Sequence, residues 1–122
     1  MPARQFTFPK SRRLTQSAEF EHVKKNGRVY RGQLVVLSIV PANGVTRFRA
    51  GFITSRTVGR AVVRNRVRRR LREIVRKYQG ELINGLWIVT IARGPAARAS
   101  YQQLEAEWLR LAKRASILAT SC

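Results

Sequence analysis

The sequence lacks most of the residue types from which protein active sites are built. Its 122 residues include no Asp, one His (His22) and one Cys (Cys122), and all six acidic residues are Glu. A single Cys excludes an internal disulfide and a Cys-based zinc site, and a single His excludes a multi-His metal site. Without Asp, a two-metal carboxylate nuclease site is not expected either. The composition therefore predicts no catalytic residue, no metal ligand and no cofactor held by the protein alone.

Long apolar stretches are also missing. No run approaches the roughly 20 residues that span a bilayer, and the first 13 residues lack the apolar segment of a secretory signal. We therefore expect a cytoplasmic protein. Its length and its 44% hydrophobic content predict one folded domain with a modest core. We place a basic arm at residues 1–13, the domain at 14–116 and a tail at 117–122.

Positive charge is what the chain has in excess. Lys and Arg number 25 against six acids, which gives a formal charge of +19, and 20 of the 25 are Arg. A folded domain with this charge either repels itself or lies against a polyanion. Nucleic acid is the leading partner, an anionic membrane surface is the weaker alternative, and no small-molecule substrate is expected.

The pattern of apolar residues predicts an α+β domain with one sheet. Helices are expected at 17–26, at 59–78 and after Ser100, where Gln103 completes a capping-box signature. The second helix is expected to carry an apolar stripe with Arg64 near its edge, formed by Val63, Val67, Leu71, Ile74, Val75 and Tyr78. Strands are expected at 34–40, 47–54 and 86–92, the first two paired as a hairpin across the turn at Pro41 to Gly44. Alternation along the second strand places Arg49 on its outer face, beside Phe20 of the first helix.

The segment around the second helix concentrates the charge. Ten cations and one acid, Glu73, lie between positions 56 and 77, a local sum of +9. Like charges at i,i+4 destabilise a helix unless something neutralises them, and the planar guanidinium pairs with phosphate through two hydrogen bonds. The pattern favours a nucleic-acid surface over a solvated helix face, and leaves RNA and DNA undecided. The cations are Arg56, Arg60, Arg64, Arg66, Arg68, Arg69, Arg70, Arg72, Arg76 and Lys77.

Residues 51–73, GFITSRTVGRAVVRNRVRRRLRE, strongly resemble the signature of the bacterial ribonuclease P protein subunit. The centre is Arg64-Asn65-Arg66, and the similarity extends over about residues 10–115. The resemblance implies a four-stranded sheet packed with about three helices, as in a ribosomal-protein domain. It also implies a left-handed βαβ crossover through the Arg-rich helix, which the general handedness rule would not predict.

The resemblance also implies which residues bind RNA. The catalytic RNA would contact Arg56, Arg60, Arg64, Asn65, Arg66, Arg68, Arg69 and Arg72. The 5′ leader of precursor tRNA would lie between the first helix and the sheet, where Phe20 would stack and Val36, Ser38 and Arg49 would form the floor.

The function implied is that of an accessory subunit. The family's RNA partner supplies the active site, uses Mg²⁺ and removes the 5′ leader from precursor tRNA, and the protein contributes binding. The alternatives are a generic RNA-binding or ribosomal-type protein with no catalytic partner and an autonomous nuclease, which would need acid–base groups that the sequence lacks.

Overall fold

The computed structural model describes residues 17–41, 48–83 and 85–118. These ranges contain three helices: α1 (Ser17–Asn26), α2 (Ala61–Lys77) and α3 (Tyr101–Arg114). They also contain four strands: β1 (Arg28–Arg31), β2 (Val35–Pro41), β3 (Arg49–Thr54) and β4 (Leu86–Ala92). The α+β class with one four-stranded sheet is confirmed. The predicted arm at residues 1–13 lies outside the described residues.

The four strands are ordered β1-β2-β4-β3, so the predicted pairing of β2 with β3 as a hairpin is wrong. Strand β4 lies between them, antiparallel to β2 and parallel to β3. A central strand is covered on both faces and therefore carries a nearly continuous apolar run, as β2 and β4 do. β3 begins with Arg49 and occupies an edge. The β3–α2–β4 unit thus joins neighbouring parallel strands, and its left-handed sense stays a prediction.

Strand β1 was not predicted from the residue pattern. It has only four residues, Arg-Val-Tyr-Arg, too few to show an alternating signal, and it pairs with β2 along one edge of the sheet. Arg28 and Arg31 are exposed there. Charged side chains on a short edge strand discourage pairing with a second chain.

One face of the sheet, here called the helix face, packs against α2 and α3. Val67, Leu71, Ile74 and Val75 of α2 are fully buried against it, which confirms the predicted apolar stripe. Trp108 of α3 is also fully buried, and its Nε1 donates to Thr90 Oγ1 at 3.2 Å.

The end of the packed chain extends beyond the predicted boundary at residue 116. Ile117 and Leu118, both assigned to the tail, are buried in the main core. Leu118 forms a bridge to Leu82, and Ile83 N donates to Ile117 O at 2.9 Å. These contacts attach the end of α3 to the segment that precedes β4.

The opposite face, here called the α1 face, is covered in part by α1. The helix buries Val23 against Val40 of β2 and Val89 of β4. Ser38 is buried beneath it, and its hydroxyl donates to Val23 O at 3.1 Å. The same carbonyl accepts from Gly27 N at 2.7 Å, so Ser38 adds a second hydrogen bond that ties the last turn of α1 to the sheet.

A carboxylate from α3 holds the turn between β1 and β2. Glu107 accepts from the backbone N–H groups of Gln33, Leu34 and Val35 at 3.2, 2.6 and 2.8 Å. Gly32 makes this approach possible, since a Cβ there would lie 2.4 Å from a Glu107 oxygen. The contact joins the helix layer to the start of β2.

We expect Glu107→Gln to lower the free energy of unfolding by about 1–3 kcal/mol, because an amide nitrogen cannot accept hydrogen bonds and leaves buried N–H groups without a partner. Urea denaturation measures the loss. Glu21→Gln is the matched control, because Glu21 is exposed and its only ion pair, with Lys24, spans 4.0 Å. Equal stability of the two variants would contradict the role of Glu107.

Candidate nucleic-acid interface

The connection from β3 to α2 is a tight turn that places Arg56 and Arg60 on the surface. Val58 is buried within it, while Val58 N and Gly59 N donate to Ser55 O and Arg56 O at 3.0 and 3.1 Å. Gly59 has a φ of 144°, a conformation that disfavours any residue with a Cβ. This glycine therefore fixes where α2 begins relative to the sheet.

The first turn of α2 carries no neutralising group. Arg60 is the N-cap residue, no side chain caps the helix, and the first turn contains no acidic residue. The N–H groups of this turn carry the positive end of the helix dipole. The charge of the nearby arginines adds to that of the dipole, so this end of α2 is strongly electropositive.

Three α2 arginines are oriented by backbone carbonyls. Arg64 donates to Gly59 O at 3.2 Å, Arg66 to Ala97 O at 3.2 Å and Arg70 to Ala99 O at 2.9 Å. Each bond uses one of five guanidinium N–H donors and removes no charge. The half-buried position of Arg64 agrees with its predicted place at the edge of the apolar stripe.

Arg68 connects the Arg64-Asn65-Arg66 motif to strand β3. Its guanidinium donates to Asn65 Oδ1 at 3.1 Å and to Thr54 Oγ1 at 2.7 Å. Asn65 is exposed, so this bond fixes its side chain on the outer surface of the helix. Asn65 therefore presents its amide N–H groups outward in a defined orientation.

Three predicted RNA contacts keep all their donors available. Arg56, Arg60 and Arg69 are exposed and have no side-chain partner among the residues described. Arg72, the last of the predicted set, is half-buried. The structure thus gathers all eight predicted residues on the turn before α2 and on its first three turns.

A mainly apolar row of side chains on the α1 face adjoins the cationic N-terminal end of α2. The register aligns Arg31, Val36, Ile91 and Ile53 across the four strands. Ile53 and Ile91 are half-buried, and Val36 is 8% exposed. Ile53 precedes Arg56 by three residues, so the row ends beside the turn that leads into α2. We call these four residues the apolar row.

Phe20 of α1 lies over the same face. It is half-buried and packs, like Ile53 and Ile91, against the cluster of Val23, Val40 and Val89. A half-buried aromatic ring retains surface on which a base can stack. The structure therefore places Phe20 and Val36, two of the four predicted leader-binding residues, on the same face of the sheet, with Phe20 half-buried and Val36 8% exposed.

Ser38 and Arg49, the other two, lie beneath α1. Ser38 is 1% exposed and bonds to the helix, as described above. Arg49 donates to Glu19 at 2.5 Å, and its guanidinium lies 5.6 Å from the centre of the Trp87 ring. Both side chains therefore make contacts that hold α1 on the sheet, and their predicted role in leader binding stays a prediction.

The pattern of residues did not indicate Arg31, Ile53, Ile91 and Arg93 as part of the site. The first three belong to the apolar row, and exposed Arg93 follows β4 and donates to Gly32 O at 2.8 Å. They come together only because β4 lies in the centre of the sheet, an arrangement that strand patterns do not reveal.

Neither a metal site nor a membrane span is found in the described ranges. No group of three or more His, Cys, Asp or Glu side chains is placed to hold a metal ion there. No helix in those ranges is long and apolar enough to cross a bilayer.

The C-terminal end of α2 is neutralised by one acidic residue of α3. Glu105 Oε2 accepts from Lys77 Nζ at 2.8 Å and from the Tyr78 hydroxyl at 2.7 Å. The hydrogen bonds from Lys77 and Tyr78 hold the pKa of Glu105 below its ordinary value of 4.5. The same carboxylate raises the pKa of Lys77 and of Tyr78.

Comparison with known proteins identifies the class of this basic α+β chain. A sequence model of the family described as Ribonuclease P matches residues 8–116. The ribonuclease P protein component of Dehalococcoides mccartyi is 43% identical over 108 residues, 88% of each chain. That of Syntrophomonas wolfei is 36% identical over 110 residues, 90% of this chain and 92% of the relative.

Solved structures agree. The ribonuclease P protein of Staphylococcus aureus superposes with a TM-score of 0.84 at 26% identity, over 89% of this chain and 99% of that one. The protein from Thermotoga maritima, solved with 1-(4-fluorophenyl)-2-thiourea, gives 0.75 at 28% identity, over 83% and 97%. The chain therefore belongs to the ribonuclease P family, as its resemblance predicted. This family is that of the protein subunit of ribonuclease P.

We expect the stabilisation from Glu105 to depend on pH. Because its folded-state pKa is lowered, the contribution is present above the ordinary Glu pKa of 4.5 and is lost as the pH falls through the folded value. Between about pH 6 and about pH 3, the stabilities of wild type and Glu105→Gln in urea should differ most at the upper end, and the difference should shrink as the pH falls below 4.5. A difference that stays constant over this range would contradict the ion-pair role.

Proposed function

We propose that this chain binds the catalytic RNA of ribonuclease P and the 5′ leader of precursor tRNA, and that the RNA carries out the cleavage. The observation that carries the proposal is the continuity of two surfaces. The cationic end of α2 and the apolar row meet at Ile53 and Arg56, so one RNA-binding region offers phosphate contacts and base contacts side by side.

The exposed face of α2 and of the turn before it, which carries the eight predicted RNA contacts and is here called the α2 surface, suits the folded catalytic RNA. Arg56, Arg60 and Arg69 have their donors available, while Arg64 and Arg66 are held in place by carbonyls. Phosphates that approach this surface replace the missing countercharge of α2 and release their own counterions. Where RNA helices and the substrate lie close together, the protein would neutralise their phosphates. This would lower the Mg²⁺ concentration needed to fold the RNA and hold the substrate.

The α1 face suits a single strand. A base can stack on Phe20 while the strand crosses Val36 and Ile91 in the apolar row, and Arg31 and Arg93 lie at the same end of the sheet for its phosphates. Ser38 and Arg49 lie beneath α1, and their hydrogen bonds to Val23 O and Glu19 keep this helix in place. We therefore propose that they position Phe20.

In this proposal, the catalytic RNA and not the protein binds Mg²⁺. When bound, the ion stabilises charge on the attacking and leaving oxygens of phosphodiester cleavage. The described side chains do not fit such a site, since they offer no cluster of ligands. The chain's own part is to bind, to orient the leader and to neutralise phosphates.

Removal of the 5′ leader from a precursor tRNA at low Mg²⁺ tests the proposal, with protein alone, catalytic RNA alone and both together. Cleavage should appear only, or far faster, when both are present. Cleavage by the protein alone would show that the chain has its own active site. Absence of stimulation would show a generic RNA binder and would overturn the proposal.

Arg69→Ala should weaken binding to the catalytic RNA and lower the slope of log K against log salt by about 0.9, the loss of one phosphate contact. Fluorescence titration of labelled protein over a series of salt concentrations measures both. Arg110→Ala is the matched control, since exposed Arg110 lies on α3 and, within the described part of the chain, pairs only with Glu107 at 3.5 Å. Equal slopes for the two variants would contradict the assignment of the α2 surface.

Phe20→Ala should weaken binding of precursor tRNA to the holoenzyme by about 1–3 kcal/mol and leave mature tRNA unaffected, because only the precursor has a base to stack there. The two dissociation constants are compared with those of wild type. Val29→Ala is the control, because Val29 is a 44% exposed apolar residue of β1 that lies on the same face of the sheet but outside the apolar row. An equal loss for both tRNAs would show that Phe20 serves only the packing of α1.

A further inference from the structure

A pocket lies far from the α2 surface, at the corner of the helix face where α3 ends. Its volume is about 280 Å³. It adjoins the end of β2 at Pro41 and the start of β4 at Leu86, whereas the α2 surface adjoins the end of β3. The pocket is therefore at the other end of the sheet, and on the face opposite Phe20.

The shape of this pocket follows from how α3 terminates. Ser116 has a φ of 59°, the left-handed conformation that commonly ends helices, and Ile117 N donates back to Ala112 O at 3.2 Å. The chain then turns toward Leu82, and a pocket remains beside it at the corner of the sheet. Ile39, Leu86, Ile83 and Ile117 form the apolar walls, and the ring of Tyr30 lines one side.

The rim of the pocket is polar, and the described residues that line it include no acid. Arg28, Asn26 and Ser116 line it, and among the described residues neither the Arg28 guanidinium nor the Tyr30 hydroxyl has a hydrogen-bond partner. Two exposed cations, Lys25 and Arg114, stand directly beside lining residues in the chain, and exposed Lys113 precedes Arg114. An apolar cavity with a few convergent polar groups is the usual form of a ligand site.

We propose that this pocket takes an unpaired nucleotide of a bound RNA strand, with the base against Tyr30 and the adjoining phosphate on Arg28. An aromatic wall combined with a cationic rim is what single-stranded nucleic acid requires. A second copy of the chain fits poorly, because its charge of +19 would face the same cations. The inference rests on the RNA binding proposed above and adds a separate contact.

Cross-linking locates the site directly. A single-stranded pentauridylate with one 4-thiouridine is irradiated with the full-length protein, and the linked peptides are identified by mass spectrometry. We expect links in the peptide that contains Tyr30, suppressed by Ala115→Leu, which fills the pocket without changing charge. Links confined to peptides from α1 or α2 would overturn the proposal.

Affinity provides the quantitative test. Arg28→Ala and Ala115→Leu should each weaken pentauridylate binding at least about fivefold, the loss expected for one stacked base. Circular dichroism verifies that the Ala115→Leu variant is folded. Arg28 is exposed, so its removal tests the site without disturbing the core. Unchanged affinity in both variants would overturn the proposal, and so would a self-association that Ala115→Leu abolishes.

Leader removal separates this inference from the proposed function. If Arg28→Ala and Ala115→Leu leave pentauridylate binding intact while wild type still stimulates the catalytic RNA, only the pocket assignment fails. If wild type gives no stimulation, the proposed function fails, whatever the pocket binds.

Discussion

Mutual repulsion among the cations of α2 is the constraint on which the rest of this structure depends. Ten positive side chains lie between positions 56 and 77, with one acid among them. The helix forms because Val67, Leu71, Ile74 and Val75 are fully buried against the sheet, which offsets the repulsion. Ion pairs with Glu73 and Glu105 neutralise only its C-terminal end, through Arg76 and Lys77. Among the residues that the structure describes, the N-terminal end has no such partner, so the residual positive charge is concentrated in the part of α2 that follows β3.

The topology converts this local charge into a composite surface. Because α2 connects β3 to β4, its N-terminus must lie at the end of β3, beside Ile53 and Ile91. The carbonyls of Gly59, Ala97 and Ala99 hold three guanidinium groups in place without neutralising them. The side chains are thus ordered before RNA arrives, which reduces the conformational entropy lost on binding. The positive charge of these guanidinium groups therefore remains available to pair with phosphates.

Local patterns predicted the features that depend on neighbouring residues. The apolar stripe of α2, the bounds of β4 and the capping box of Ser100 with Gln103 are all present, and each is determined within a few turns of chain. Strand order is determined by pairings between distant residues, so the place of β4 between β2 and β3 was missed. Arg49 shows the consequence for the site. Its alternation pattern placed it correctly on the α1 face, but its partner Glu19 is 30 positions away, and periodicity carries no information about such a contact.

The contacts of Arg49 also indicate which path a bound strand takes. A phosphate on Arg49 would compete with the Glu19 carboxylate at 2.5 Å, in a side chain that is only 25% exposed and lies over Trp87. A hydrogen bond between charged groups contributes about 1.5–3 kcal/mol, and its rupture would also release the first turn of α1, which carries Phe20. Arg31 and Arg93 are exposed at the opposite end of the same face and require no such rupture. In the function proposed above, the strand would therefore gain most by crossing the apolar row, where the base contact and the phosphate contacts would form together and α1 would stay in place.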